Sequence, residues 1–132
     1  MIVAAMLSPS GASAAILRAV RREKVQLLLS VPLAMEYEAV CLRAEHQIAA
    51  ALSEQDVHIF VDAVIAMAEP VKIHFLWRPQ LRDPSDEMVL ETAVNGRANL
   101  LVTFNVRDYR TVPERFGIQV RTPRQAMERI GK

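Results

Sequence analysis

The sequence predicts an α/β fold: a three-layer α/β/α sandwich around a central parallel sheet, with its first strand shortened. Three observations lead there. Continuously apolar runs such as VQLLLS at 25–30 and ANLLVTF at 98–104 have the length of strands buried on both faces. Longer segments with apolar residues at helical spacing alternate with them, the order that builds parallel sheets. Helix-start signals stand at the boundaries, as in Ser53-x-x-Asp56 and at Pro32. The 132 residues, 52% of them hydrophobic, suit one domain spanning 1–132 with a substantial core.

Taken in order, residues 1–6 (MIVAAM) read as the end of a buried strand. Ser10 is a candidate cap for a helix over 13–23, with Ile16, Leu17 and Val20 inward and Arg18, Arg21 and Arg22 outward. The strand at 25–30 leads into a helix that Pro32 opens and that runs to about Ala44. A second long helix covers 53–68, its buried face carrying Val57, Phe60, Val61, Val64, Ile65 and Ala68. VKIHF at 71–75 alternates weakly and reads as a strand, and 76–86 as a loop. A helix over 86–96 closes at Asn95-Gly96, a common C-terminal stop. The strand at 98–104 follows, then a loop with a short helix (105–117), a strand at 118–122 and a helix at 123–130.

Charge and cysteine content exclude little and suggest some things. The net charge of +1 points to no particular partner. Thirteen of the 16 basic residues are Arg, which suits bidentate phosphate contacts but equally a solvated surface. The single Cys41 excludes an internal disulfide, fits a reducing cytoplasm, and in an apolar helical context reads as a buried structural thiol. Apolar runs fall short of the roughly 18 residues a membrane helix needs, so no membrane association is expected. His46, His58 and His74 share no metal-ligand spacing.

Two acidic residues break the helical pattern. On the helix after Pro32 the stripe is Leu33, Tyr37, Val40, Cys41 and Ala44, and Glu36 lies about 60° from Leu33, on its edge. With Val40 at i+4 it has no local basic partner, and a half-buried carboxylate is costly unless something distant compensates. On the helix at 86–96 the stripe is Val89, Leu90, Ala93 and Val94; Asp86 falls near its middle, while Glu87 and Glu91 fall off it. Singly, each has a plain account: a core-edge glutamate satisfied from afar, and an aspartate in a first helical turn behind an Asp83 cap. Thr103, Asn105 and Asp108 follow a strand end, where short polar residues suit a turn. In parallel sheets ligands gather at that end. Jointly these acids and polar groups suit a hard cation such as Mg²⁺ or Mn²⁺, which can offset their mutual repulsion.

The stretch RDPSDEMVLETAVNGRANLLVTFNVRDY (82–109) resembles the PIN-domain family, in particular its bacterial group of toxin components related to VapC ribonucleases. That group shows Arg-Asp-Pro-x-Asp, an apolar helix, then a strand ending Val-Thr-x-Asn-x-x-Asp-aromatic. SVPLAMEYEAV (30–40), LSPSGASAAILRAV (7–20) and FGIQVRTPRQAM (116–127) resemble further family segments. The resemblance implies a metal-dependent endoribonuclease whose catalytic and metal-binding acids are Glu36, Asp86 and Asp108. Asn105 stands where many relatives have Asp, with Thr103 close by and Asp83 as a supporting carboxylate. Arg78, Arg82, Arg107 and Arg110 flank this set and would hold RNA phosphates or balance the acids. A toxin role implies an antitoxin protein as partner, and relatives imply a homodimer.

One departure stands out. Family members begin with a strand ending Asp-Thr-Asn-Val, whose Asp is the first metal ligand, and the matching segments put Met1 on that valine. The resemblance therefore implies N-terminal shortening, through a start assigned at a valine codon (the preferred account) or through real loss. For this polypeptide it implies weak metal binding and low or absent cleavage. Two other classes stay open: a degenerate PIN module that binds RNA or protein without cutting, and a different α/β domain such as a small phosphotransferase.

Overall fold

In the computed structural model, residues 1–74 and 81–131 are described. The chain opens with α1 (Ile2–Leu7), not with the expected strand. A six-residue apolar run cannot distinguish the two by periodicity. Ala and Met favour the helix, and burial of Ile2, Ala5 and Met6 at i, i+3 and i+4 secures it. The next helix, α2 (Ala12–Arg21), starts from Gly11 with no side-chain cap, so Ser10 does not play that part. It buries Ile16, Leu17 and Val20 as the pattern requires.

Strand β1 (Leu28–Leu29) hands over to α3 (Val31–Cys41) at Ser30. Ser30 Oγ accepts the Leu33 N–H at 3.4 Å and lies 2.7 Å from Thr92 Oγ1. Thr92 donates its own proton to the Met88 carbonyl, so the Ser30 hydroxyl donates to Thr92. One buried hydroxyl thus starts α3 and ties it to a helix 62 residues away.

Helix α3 ends at Cys41 rather than near Ala44, and α4 (Ala44–Ala50) follows. Helix α4 leaves no mark in the sequence because none of its residues is buried, so it has no apolar stripe to read. Ser53 and Asp56 form the expected capping box at the start of α5 (Glu54–Met67). Val57, Val61 and Val64 point inward; Ile65, expected with them, is exposed. Strand β2 (Glu69–Pro70) precedes the expected one at 71–75: residues 71–74 have no regular structure, and Phe75 lies outside the described residues. Most of the expected loop at 76–86 lies outside them too.

Helix α6 (Pro84–Asn95) starts from the Asp83 cap, whose carboxylate accepts the Ser85 N–H at 2.8 Å. Its buried face differs from the expected one. Glu87 and Glu91 are buried with Leu90, Thr92 and Ala93, whereas Asp86 is only half-buried. The reason is local: Glu87 accepts the Leu81 N–H at 2.6 Å and Asn95 accepts the His74 N–H at 2.9 Å. Glu87 and Asn95 thus take up backbone donors of the segment before the helix.

Gly96 ends α6, but for a different reason from the one its type suggests. Its φ is −86°, and the left-handed position falls on Arg97 at φ 55°. Gly96 is needed for closeness. A Cβ there would lie 2.8 Å from Leu28 Cδ1 and 2.9 Å from Val71 Cγ2. Gly96→Ala is expected to destabilise the chain by about 1–3 kcal/mol through overpacking, read as a lower midpoint in urea.

Strand β3 (Leu100–Val102) is followed by two 3-10 turns, Val106–Tyr109 and Pro113–Phe116. After them come β4 (Gln119–Arg121) and α7 (Pro123–Ile130), which a Thr122–Gln125 capping box starts. Among the described residues the strands form two parallel pairs, β1 with β2 and β3 with β4. The buried apolar residues fall into two clusters. The first holds Ile2, Met6, Leu17, Cys41, Val57, Val61 and Val64. The second holds Leu81, Leu90, Leu101, Tyr109, Val112 and Ile118. Burial raises the Cys41 thiol pKa, in keeping with a structural role. Among the described residues no helix is long and apolar enough to cross a membrane.

Candidate functional site

The first turn of α6 is where the acids meet. Ser85, its second residue, donates its hydroxyl proton to Glu36 Oε1 at 3.1 Å. That is the distant partner the half-buried Glu36 required. α3 and α6 are in contact, and the Ser30–Thr92 hydroxyl pair pins them, which sets Glu36 against Ser85, the residue before Asp86. The N-terminal end of α6 adds favourable partial charge for carboxylates.

Asp86 accepts a hydrogen bond from the Tyr109 hydroxyl at 3.2 Å. Its pKa is raised, first by burial, then by the negative charges of Asp83 and Asp108; the Tyr109 hydroxyl pulls the other way. Burial and the Asp86 charge hold the Tyr109 phenol well above its ordinary value, so it stays a proton donor. Tyr109 is 2% exposed, and it brings Asp108, its neighbour on the same 3-10 turn, towards Asp86. Sequence reasoning gave Tyr109 no role. The available signal was its place directly after Asp108, since a buried aromatic with a polar tip can anchor the acid beside it.

The other expected residues sit more loosely. Asp83 caps α6 and also contributes negative charge at Asp86. Thr103 Oγ1 accepts the Asn105 N–H at 3.1 Å, which accounts for both as a turn after β3. Asn105 and Asp108 are exposed. Arg82, Arg107 and Arg110 are exposed and, among the described residues, form no ion pair with the acids. They are free to meet an anion from solution. Arg78 lies outside the described residues.

These groups are oxygen donors of the kind hard cations take, and the raised Asp86 pKa marks acids close enough to repel one another. The spacing is not that of a finished metal site. Among the described residues no three Asp, Glu, His or Cys side chains stand close enough together to hold an ion. Residues 1–107 match the model of the PIN domain. The chain belongs to the PIN-domain family. Glu36, Asp83, Asp86, Thr103 and Asn105 lie inside the matched PIN segment, and Asp108 directly follows it. PIN domains are nucleases as a class and typically use divalent metals. No curated protein and no solved structure matches the chain.

Proposed function

We propose that this PIN domain is built for metal-dependent endoribonuclease chemistry, as the toxin of a toxin–antitoxin pair. The observation that carries the reading is the Asp86 environment. A half-buried carboxylate is repelled by Asp83 and Asp108, and its chain neighbour Ser85 hydrogen-bonds Glu36, an arrangement a bound divalent cation would relieve. Glu36, Asp86 and Asp108 would hold Mg²⁺ or Mn²⁺, with Asn105 as a neutral oxygen donor. A cation there supplies Lewis acidity and a bound water of lowered pKa. The chain's own residues do the rest. Ser85 and Tyr109 fix Glu36 and Asp86, and Arg82, Arg107 and Arg110 meet phosphate oxygens of the RNA.

A cleavage assay with Mn²⁺ on structured and single-stranded RNA tests this. The chain is expected to cut, and Asp86→Asn to abolish cutting while RNA is still retained. A chain that stays inert with Mn²⁺ sinks the reading. The loose spacing of the acids among the described residues favours one alternative, a PIN module that binds RNA without cutting. In that case the parent and Asp86→Asn retain RNA with equal affinity and neither cleaves it. An antitoxin protein and a homodimer are further partners the toxin reading expects, and the cytoplasm is its expected setting.

A further inference from the structure

The stretch Val94-Asn95-Gly96-Arg97 holds a dipeptide with chemistry of its own. An asparagine side-chain amide is an electrophile for the backbone nitrogen of the next residue, and a following glycine, with no Cβ, leaves that attack open. The Gly96 nitrogen bonds to Asn95 Cγ, its proton passes to water, and Nδ2 leaves as ammonia. Water then opens the cyclic imide at either carbonyl, giving aspartate or isoaspartate. Water is the only co-reactant.

In the folded chain each reacting group is already engaged. The Gly96 N–H donates to the Thr92 carbonyl at 2.9 Å. Asn95 Nδ2 donates to the Glu91 carbonyl at 2.8 Å, and Oδ1 accepts the His74 N–H at 2.9 Å. The turn beyond is fixed as well. The Ala98 N–H reaches the Ala93 carbonyl at 2.9 Å and the Arg97 N–H the Val94 carbonyl at 3.2 Å. Asn95 thus keeps helical backbone, with ψ of about −42°, far from the torsion a planar imide ring needs.

These bonds lie where the fold can open. Asn95 is the last residue of α6, and it and Gly96 are only half-buried, so water reaches them. His74 is exposed, in a segment without regular structure. Helix ends of this kind open at a fraction of the global cost.

We propose that Asn95-Gly96 is a spontaneous modification site, shut in the native fold and uncovered when the last turn of α6 parts from residues 71–74. The product holds the opening. Conversion loses the Nδ2 donor to Glu91 and sets a carboxylate at a helix C-terminus, where the dipole disfavours it, one turn from Glu91. Isoaspartate also lengthens the backbone beside Gly96, where a Cβ would already stand 2.8 Å from Leu28 Cδ1. The site therefore turns a reversible opening into a permanent one. The inference rests on these local bonds and not on the nuclease reading, so its test needs neither metal nor RNA.

The full chain is incubated at neutral pH over a series of urea concentrations below its unfolding midpoint, beside the free peptide Ala-Val-Asn-Gly-Arg. Conversion at Asn95 is read by peptide mass spectrometry. Without urea the chain is expected to convert roughly a hundredfold more slowly than the peptide, the worth of three net hydrogen bonds. The rate should rise with urea more gently than global unfolding does, because a local opening exposes less surface. His74→Pro, which removes the donor to Asn95 Oδ1, should raise the native rate severalfold. Asn95→Asp should lower the urea midpoint. A native rate equal to the peptide's overturns the proposal. So does a rate with the full urea dependence of global unfolding, which leaves the helix end no opening of its own. An Asn95→Asp midpoint equal to the parent's overturns it too, since the product would then close as the parent does.

Discussion

Tyr109→Ala is expected to lower stability by about 3–5 kcal/mol, enough to leave a domain of this size largely unfolded under mild denaturant. The ring is fully inside the second core, packed with Leu81, Leu90, Leu101, Val112 and Ile118. Its removal loses the transfer energy of an aromatic and leaves a cavity that short 3-10 turns on either side cannot close. Tyr109→Phe isolates the hydroxyl. It keeps the packing, removes the donor to Asp86, and is expected to cost about 1 kcal/mol. It also removes the one influence that lowers the Asp86 pKa, so that pKa should rise further. Urea unfolding of both variants, with carboxyl titration by NMR for Tyr109→Phe, checks the pair. Equal losses for Ala and Phe would mean that the hydroxyl, and not the ring, holds this turn.

Asp86→Asn is expected to separate stability from function. In the folded chain the Asp86 pKa lies above its unfolded value, because burial and two neighbouring aspartates disfavour the charge. The folded state therefore keeps this proton to higher pH than the unfolded state does. Below the unfolded pKa of about 4 neither state is charged and the residue costs nothing. As pH rises from there through the raised folded pKa, the native state loses stability, and the penalty is complete at neutrality. Asparagine removes it. The variant should match the parent near pH 4 and be slightly more stable at pH 7, by a fraction of a kcal/mol because solvent screens the half-buried group. Its Mn²⁺ affinity should fall by roughly a hundredfold, at least what loss of a supporting group costs a metal site. Thermal unfolding across pH, with and without Mn²⁺, reads both. A variant that is less stable at neutral pH, or that binds Mn²⁺ as well as the parent, contradicts this assignment.

How much of this was legible beforehand differs from one element to the next, for physical reasons. The Ser53 capping box and the proline-led start of α3 depend on residues a few positions apart, and both helices begin within a residue or two of the places their sequences mark. Helix α1 was misread because six apolar residues fit either period, and only contact with α2 and α3 selects the helical one. Glu87 and Glu91 were assigned to the outer face because charge normally seeks water. Glu87 is buried because a backbone donor of another segment needs an acceptor there, a demand that no helical wheel contains.

The candidate site divides the same way. Glu36 and Asp86 stood out in the sequence because each is a carboxylate on or beside an apolar stripe, an expense that local spacing registers. Their connection did not, since it runs through Ser85 across 49 residues and through Tyr109 across 23. By itself the sequence determined the starts of α3 and α5 and which acids needed partners, because those depend on neighbours along the chain. Tertiary structure alone decided which groups those partners are and that, among the described residues, the strands form two separate pairs. Contacts between distant segments carry no periodic mark in the sequence.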